Sequence, residues 1–176
     1  MILNHQRRVR VAVKPLEQFL REVQQTLHLE DHEVTVCLVS DSAIARFNRA
    51  FRGKRGPTDV LSFPADGNGA APRTQTKNTT QRTRRNGNHR VPRSSRSSTF
   101  SPSSISSTSF PSYLGDIAIS PETARRNARR FARPLSLELR ILILHGILHL
   151  MGYDHETDNG AMERLERRLH LRLGVS

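Results

Sequence analysis

Apolar positions along this chain of 176 residues recur in two rhythms, every second residue or every third and fourth, and each rhythm predicts an element. Residues 7–13, RRVRVAV, alternate and predict a strand with a basic outer face. Pro15 then opens a helix to about Leu29, in which Leu16, Phe19, Leu20, Val23 and Leu27 form a buried stripe. Residues 33–39, rich in β-branched side chains, are the clearest strand, and Ser40-Asp41-Ser42 caps a helix from Ala43 to about Phe51. Thr58 to Phe63 and Gly115 to Ser120 predict two further strands, and Pro64 ends the first of them or puts it at a sheet edge. Ser120-Pro121-Glu122 starts a helix to about Phe131, and Pro134 to Ser136 starts another that is apolar almost all round, the mark of a helix at a domain centre. Residues 157–173 close the chain as an amphipathic helix with Met162, Leu165, Leu169 and Leu173 inward. The expected fold is α+β, a four-stranded mixed sheet packed on helices with one buried central helix.

Composition changes that picture in one place. The chain has 28 Lys+Arg against 16 Asp+Glu, a formal charge of +12, and more than half of the excess falls in residues 66–112. That stretch is rich in Ser, Thr and Arg and holds no helical or strand period, so it cannot offset its ordering entropy and is expected to be disordered within a single domain spanning 1–176. It reads either as a cationic arm for RNA or as a tolerated surface insertion. A solvated face is the ordinary reading of Arg125, Arg126, Arg129, Arg130 and Arg133, although in an RNA-binding protein the same stripe could track a phosphate backbone. Cys37 is the sole cysteine, read as a buried, inert thiol, so no intrachain disulfide is possible. No stretch has the length of a signal peptide or a membrane span, which predicts a soluble cytoplasmic protein.

The candidate chemistry lies in residues 141–155, ILILHGILHLMGYDH. His145 and His149 are four apart, so on a helix their imidazoles share one face a single turn from each other. Gly152 can take the left-handed conformation that ends the helix and folds Tyr153-Asp154-His155 back, offering His155 as a third nitrogen. Three imidazoles leave a tetrahedral metal one open position, as in a catalytic zinc site. Zinc suits this ligand set best, though nickel or copper would also bind it. The spacing is that of the metzincin proteases with one change: Gly146 stands where those enzymes carry the glutamate base. His5, His28, His32, His89 and His170 lack ligand spacing and read as surface residues.

The run HGILHLMGYDH, with Phe51-Arg52-Gly53-Lys54, Pro57-Thr58-Asp59-Val60-Leu61-Ser62-Phe63-Pro64 and Leu114-Gly115-Asp116-Ile117 in the same order, resembles the YbeY family of metal-dependent endoribonucleases of rRNA maturation. The resemblance covers the chain outside residues 66–112, where that family has a short connection. It implies a zincin-like placement of the metal ligands on a central helix. Its implied activity is hydrolysis of single-stranded RNA in 16S rRNA 3′-end maturation and ribosome quality control, with the small ribosomal subunit and its immature rRNA as partners. The resemblance singles out Arg52 as the catalytic residue that holds the scissile phosphate, a task for a planar and permanently charged donor. Asp59, Ser62, Asp116 and Asp154 are candidate cleft or supporting positions, and Asp116 in particular could orient a ligating imidazole by accepting its other N–H. No dedicated base is visible in the helix; Asp154, Glu156 or the metal hydroxide are the options. Two rivals stand beside this reading: an assembly factor that holds RNA on a structural metal without cutting it, and a metalloprotease, against which Gly146 argues.

Overall fold

The computed structural model describes residues 1–65, 112–154 and 158–175. All of them belong to one compact unit, Met1–Pro72 with Phe110–Ser176. The expected disorder and the RNA-binding or inert role of the insertion concern residues outside the described ones, except that Ser112 already begins a strand.

Among the described residues, four strands and five helices follow in the order β1 (Ile2–Asn4), α1 (Val13–Thr26), β2 (His32–Leu38), α2 (Asp41–Arg52), β3 (Val60–Pro64), β4 (Ser112–Ile119), α3 (Pro121–Arg130), α4 (Leu135–Leu150) and α5 (Ala161–Leu173). The sheet order is β1-β2-β4-β3. β1 and β4 run parallel to β2, and β3 lies antiparallel to β4 at the edge, with Ser62 opposite Ile117 and Phe63 opposite Asp116. The fold is therefore α+β with a mixed sheet, as the alternation of periods predicts.

One expectation fails at the amino terminus. The first strand is Ile2–Asn4, and residues 7–12 form no strand. Ile2 pairs with Val36, whereas the backbone of Val9 is satisfied by one side chain: Gln6 Nε2 donates to Val9 O at 2.9 Å, and Val9 N donates to Gln6 Oε1 at 2.9 Å. The amide of Gln6 stands in for a neighbouring strand, so the alternating segment has no need of the sheet. The next helix starts at Val13 rather than at Pro15, and Pro15 is tolerated because an N–H in the first turn has no intrahelical acceptor.

The two faces of the sheet are covered differently. Adjacent residues on a strand point to opposite faces. Ile117 and Ile119 point into the larger core, which α1, α4 and α5 complete with Phe19, Leu20, Ile143, Ile147 and Met162. Ala118 and Leu61, paired across β3 and β4, point the other way into a smaller cluster with Ile44 and Phe47 of α2. Helix α4 is buried through most of its length, including Leu144, Ile147 and Leu148 at 0% exposure. This burial explains its all-round apolar sequence. Arg133 pairs with the buried Glu138 in its first turn.

Candidate metal centre

His145 and His149 lie on the last two turns of α4, and their rings meet edge to face with centroids 4.7 Å apart. Their Nε2 atoms are 3.1 Å apart. Each opposite ring nitrogen has its own acceptor. His149 Nδ1 lies 2.9 Å from the carbonyl oxygen of Tyr153, which can only accept, so that nitrogen carries the proton. His145 Nδ1 lies 3.2 Å from Glu166 Oε1 on α5, where a carboxylate accepts in the same way. Neutral imidazoles protonated at Nδ1 present a lone pair at Nε2. Two such lone pairs directed at one another repel unless a cation draws both. Ligands about 2.05 Å from a tetrahedral zinc stand about 3.3 Å apart, so a separation of 3.1 Å and an all-nitrogen donor set fit a divalent metal of that kind.

The end of α4 prepares the second ring. Gly152 adopts a positive φ of 91°, Gly152 N donates to His149 O at 3.0 Å, and Tyr153 N donates to Leu148 O at 3.1 Å. This pair of bonds is the Schellman closure of a helix. It turns the chain so that the carbonyl of Tyr153 comes back onto the ring of His149. His155, the expected third ligand, lies outside the described residues, as do Glu156 and Thr157. Among the described residues no group of three His, Cys, Asp or Glu is placed to hold a metal. Asp154 accepts at its backbone oxygen from Asp158 N at 3.1 Å.

Gly146 has a packing role. A Cβ built on it would stand 2.8 Å from Ile117 Cγ2 and 2.9 Å from Ile117 Cδ1, so the helix touches the sheet where a protease would carry its glutamate. Ser62 on β3 donates to Gly146 O at 3.1 Å, a second link at the same residue. Ser62 is thus a clamp between edge strand and metal helix, gripping it at Gly146, between the two histidines in sequence. A carboxylate at position 146 would have to displace Ile117, which is fully buried.

Among the described residues Asp116 meets neither His145 nor His149. Asp116 follows the alternation to the face of Phe63 and Ala118, away from α4, and accepts from Tyr113 Oη at 2.5 Å. Burial, and then the charge of Asp116, push the Cys37 thiol up, which leaves the half-buried Cys37 protonated. Asp59 is a joint between elements: its carboxylate accepts from Thr58 Oγ1, its own neighbour Val60 N and Asn127 Nδ2 of α3 at 3.1, 2.9 and 3.1 Å. Arg52 is the last residue of α2 and is exposed. Gly53 in the left-handed region closes the helix behind it. Phe51 packs edge to face on Phe63 with centroids 5.1 Å apart, so the end of α2 and the last turns of α4 flank the same edge strand from opposite faces.

Two residues near the imidazoles escape the sequence reading. Glu166 is one. His170, read above as a surface residue, is the other: its Nε2 is 3.9 Å from Glu166 Oε1 and its side chain is only 25% exposed. Burial lowers the His170 pKa and, with the Arg133 charge, outweighs the opposing charge of Glu166. The amphipathic period of α5 places Glu166 beside the inward stripe, a position that, given an acceptor-seeking histidine elsewhere, was the available signal.

Comparison with known proteins agrees with this architecture. The profile of the family Endoribonuclease YbeY matches residues 1–174. The Endoribonuclease YbeY of Solibacter usitatus is 32% identical over 160 residues, covering 91% of this chain and 78% of that protein. That of Sinorhizobium medicae is 35% identical over 170 residues, covering 94% and 79%. The solution structure of TM1509 from Thermotoga maritima is similar with a TM-score of 0.53 at 26% identity, covering 96% of this chain and 85% of that one. A match of this extent, on a chain whose buried helix carries the paired imidazoles, shows that the protein belongs to the Endoribonuclease YbeY family.

Proposed function

We propose that His145, His149 and His155 hold one zinc ion with which this endoribonuclease hydrolyses phosphodiesters of single-stranded RNA. The observation that carries the proposal is the convergence of two Nε2 atoms to 3.1 Å while both Nδ1 atoms face acceptors. A bound divalent metal would supply Lewis acidity toward a phosphate oxygen and lower the pKa of bound water toward neutrality.

The chain's own residues supply the rest. The Schellman turn at Gly152 and the carbonyl of Tyr153 hold the His149 ring, and the core around Ile143, Ile147 and Leu148 keeps α4 from shifting. Arg52 supplies a permanent charge and two donors for the scissile phosphate from the end of α2, a role supported by resemblance and by its exposed place beside the edge strand. The family resemblance further points to 16S rRNA 3′-end maturation on the small ribosomal subunit, and so to the cytoplasm. Among the described residues no helix is long and apolar enough to cross a membrane.

Purified protein on single-stranded RNA, with and without chelator and beside a His149→Ala variant, tests this directly. Cleavage is expected to stop with chelator, to return on adding zinc, and to be absent in the variant. Cleavage that persists through both treatments would remove the metal centre from the reaction. A metal that is bound and stabilising while RNA stays intact would favour the non-cleaving assembly factor.

A further inference from the structure

We infer that Glu166 is a positioning residue of the metal centre: from α5, its carboxylate holds His145 in the Nδ1-protonated tautomer and so turns the lone pair of Nε2 toward the metal. The inference rests on the metal reading above and deepens it.

A histidine can bind a metal through either ring nitrogen, and the hydrogen bond made by the other decides which. For His149 that bond comes from its own chain four residues on, through Tyr153 O. For His145 the acceptor at Nδ1 is a side chain rather than a backbone carbonyl. Its partner arrives from a different element, with Glu166 Oε1 at 3.2 Å from Nδ1 and side chains 25% and 16% exposed. The partly buried setting weakens competition by water for either group.

The carboxylate is itself held in place. Helix α5 is seated by Met162 and Leu169, both buried in the main core. Its first turn is fixed by Asp158, whose carboxylate accepts from Gly160 N, Ala161 N and Met162 N at 3.0, 3.1 and 2.8 Å. One turn beyond Glu166, His170 Nε2 stands 3.9 Å from the same oxygen. Glu166 therefore lies between two imidazoles, one facing the metal side and one behind it. It is on the Nδ1 side of His145, across the ring from Nε2, so it would orient that ring rather than act at Nε2.

A mere tie between α4 and α5 would look similar in coordinates but behaves differently in solution. It would alter the stability of metal-free protein and leave the affinity of the folded site for zinc untouched. Glu166→Gln keeps the shape and a weaker acceptor, and Glu166→Ala removes both. Each variant, with wild type and His149→Ala, is titrated with zinc against a chromogenic chelator, and metal-free melting is recorded in parallel. Zinc affinity is expected to fall about 10- to 100-fold in Glu166→Ala and less in Glu166→Gln, with metal-free melting of the glutamine variant unchanged. In metal-free wild type the 15N spectrum of His145 should show protonation at Nδ1, and in the variants a mixture of tautomers. If both variants bind zinc as wild type does while His149→Ala does not, the role assigned to Glu166 is wrong and the metal centre stands. If the affinity of Glu166→Gln falls only in step with its metal-free melting, a structural tie is sufficient and the role is likewise wrong. Should His149→Ala also bind like wild type, the metal reading fails and takes this inference with it.

Discussion

The two faces of the sheet are built to different standards. On the α4 face, a large apolar core, the Ser62 to Gly146 bond and the Glu166 to His145 bond converge on two rings. On the α2 face the apolar cluster is small, and much of the cohesion is polar. Asp41 accepts from Ser120 Oγ, Thr123 Oγ1 and Arg126 Nη1 at 2.5, 2.7 and 2.8 Å. Phe51 and Arg52 stay exposed at the helix end. Metal ligands need their geometry set in advance, which a dense core provides, whereas a residue that grips a polymer backbone can sit at an accessible helix terminus.

The contrast is broken most severely at Gly146. Glu at this position, which would restore the protease pattern, should prevent soluble folding, because Ile117 already occupies the space. Gly146→Ala should cost about 1–3 kcal/mol in urea unfolding, outweighing the roughly 1 kcal/mol gained in helix propensity. An alanine variant as stable as wild type would mean that helix and sheet are not in close contact there. On the other face, Arg52→Ala should lower RNA cleavage about 100-fold with zinc affinity unchanged. A parallel loss of zinc would place Arg52 within the metal site and erase the division of labour.

Asp41→Asn sharpens the comparison through pH. Burial disfavours the Asp41 carboxylate, but the hydrogen bonds from Ser120, Arg126 and Thr123 and the Arg126 charge outweigh it and hold its pKa below the ordinary value. A lowered folded pKa gives stability that is present above the unfolded value and lost as pH falls through the folded one. The variant should therefore be about 1.5–3 kcal/mol less stable than wild type near neutrality, and the gap should close below about pH 4. A gap that does not change with pH through the acid range would assign the loss to packing. The smallest effect is expected from Ser62→Ala, about 1 kcal/mol in chemical unfolding, with the carbonyl of Gly146 still bonded along its helix.

The helices were largely legible in advance, and the reason is local. Ser40 and Ser120 cap their helices through Ala43 N and Thr123 N, and Gly152 closes α4 at the expected place. Each depends on residues within one turn. The H-x3-H spacing placed two rings together for the same reason, since α-helix geometry alone brings i and i+4 to one face. The strand expected at residues 7–13 failed because alternation cannot say which segment finds a partner, and three residues, Ile2–Asn4, are too few to show a period.

What only the tertiary structure decided are relations across the chain. A carboxylate for one of the ligating imidazoles was expected at Asp116; the one that meets His145 is Glu166, 21 residues beyond the histidine and on another helix. Strand parity sends Asp116 to the opposite face, a fact that depends on the bulge and register between β2 and β4. Gly146 looked like a missing base and is a contact surface for Ile117. Periodicity and caps follow from backbone hydrogen bonds between near neighbours, so a sequence states them directly. Which distant side chain reaches a given ring is set by how buried faces dock, and that is determined by the whole core at once.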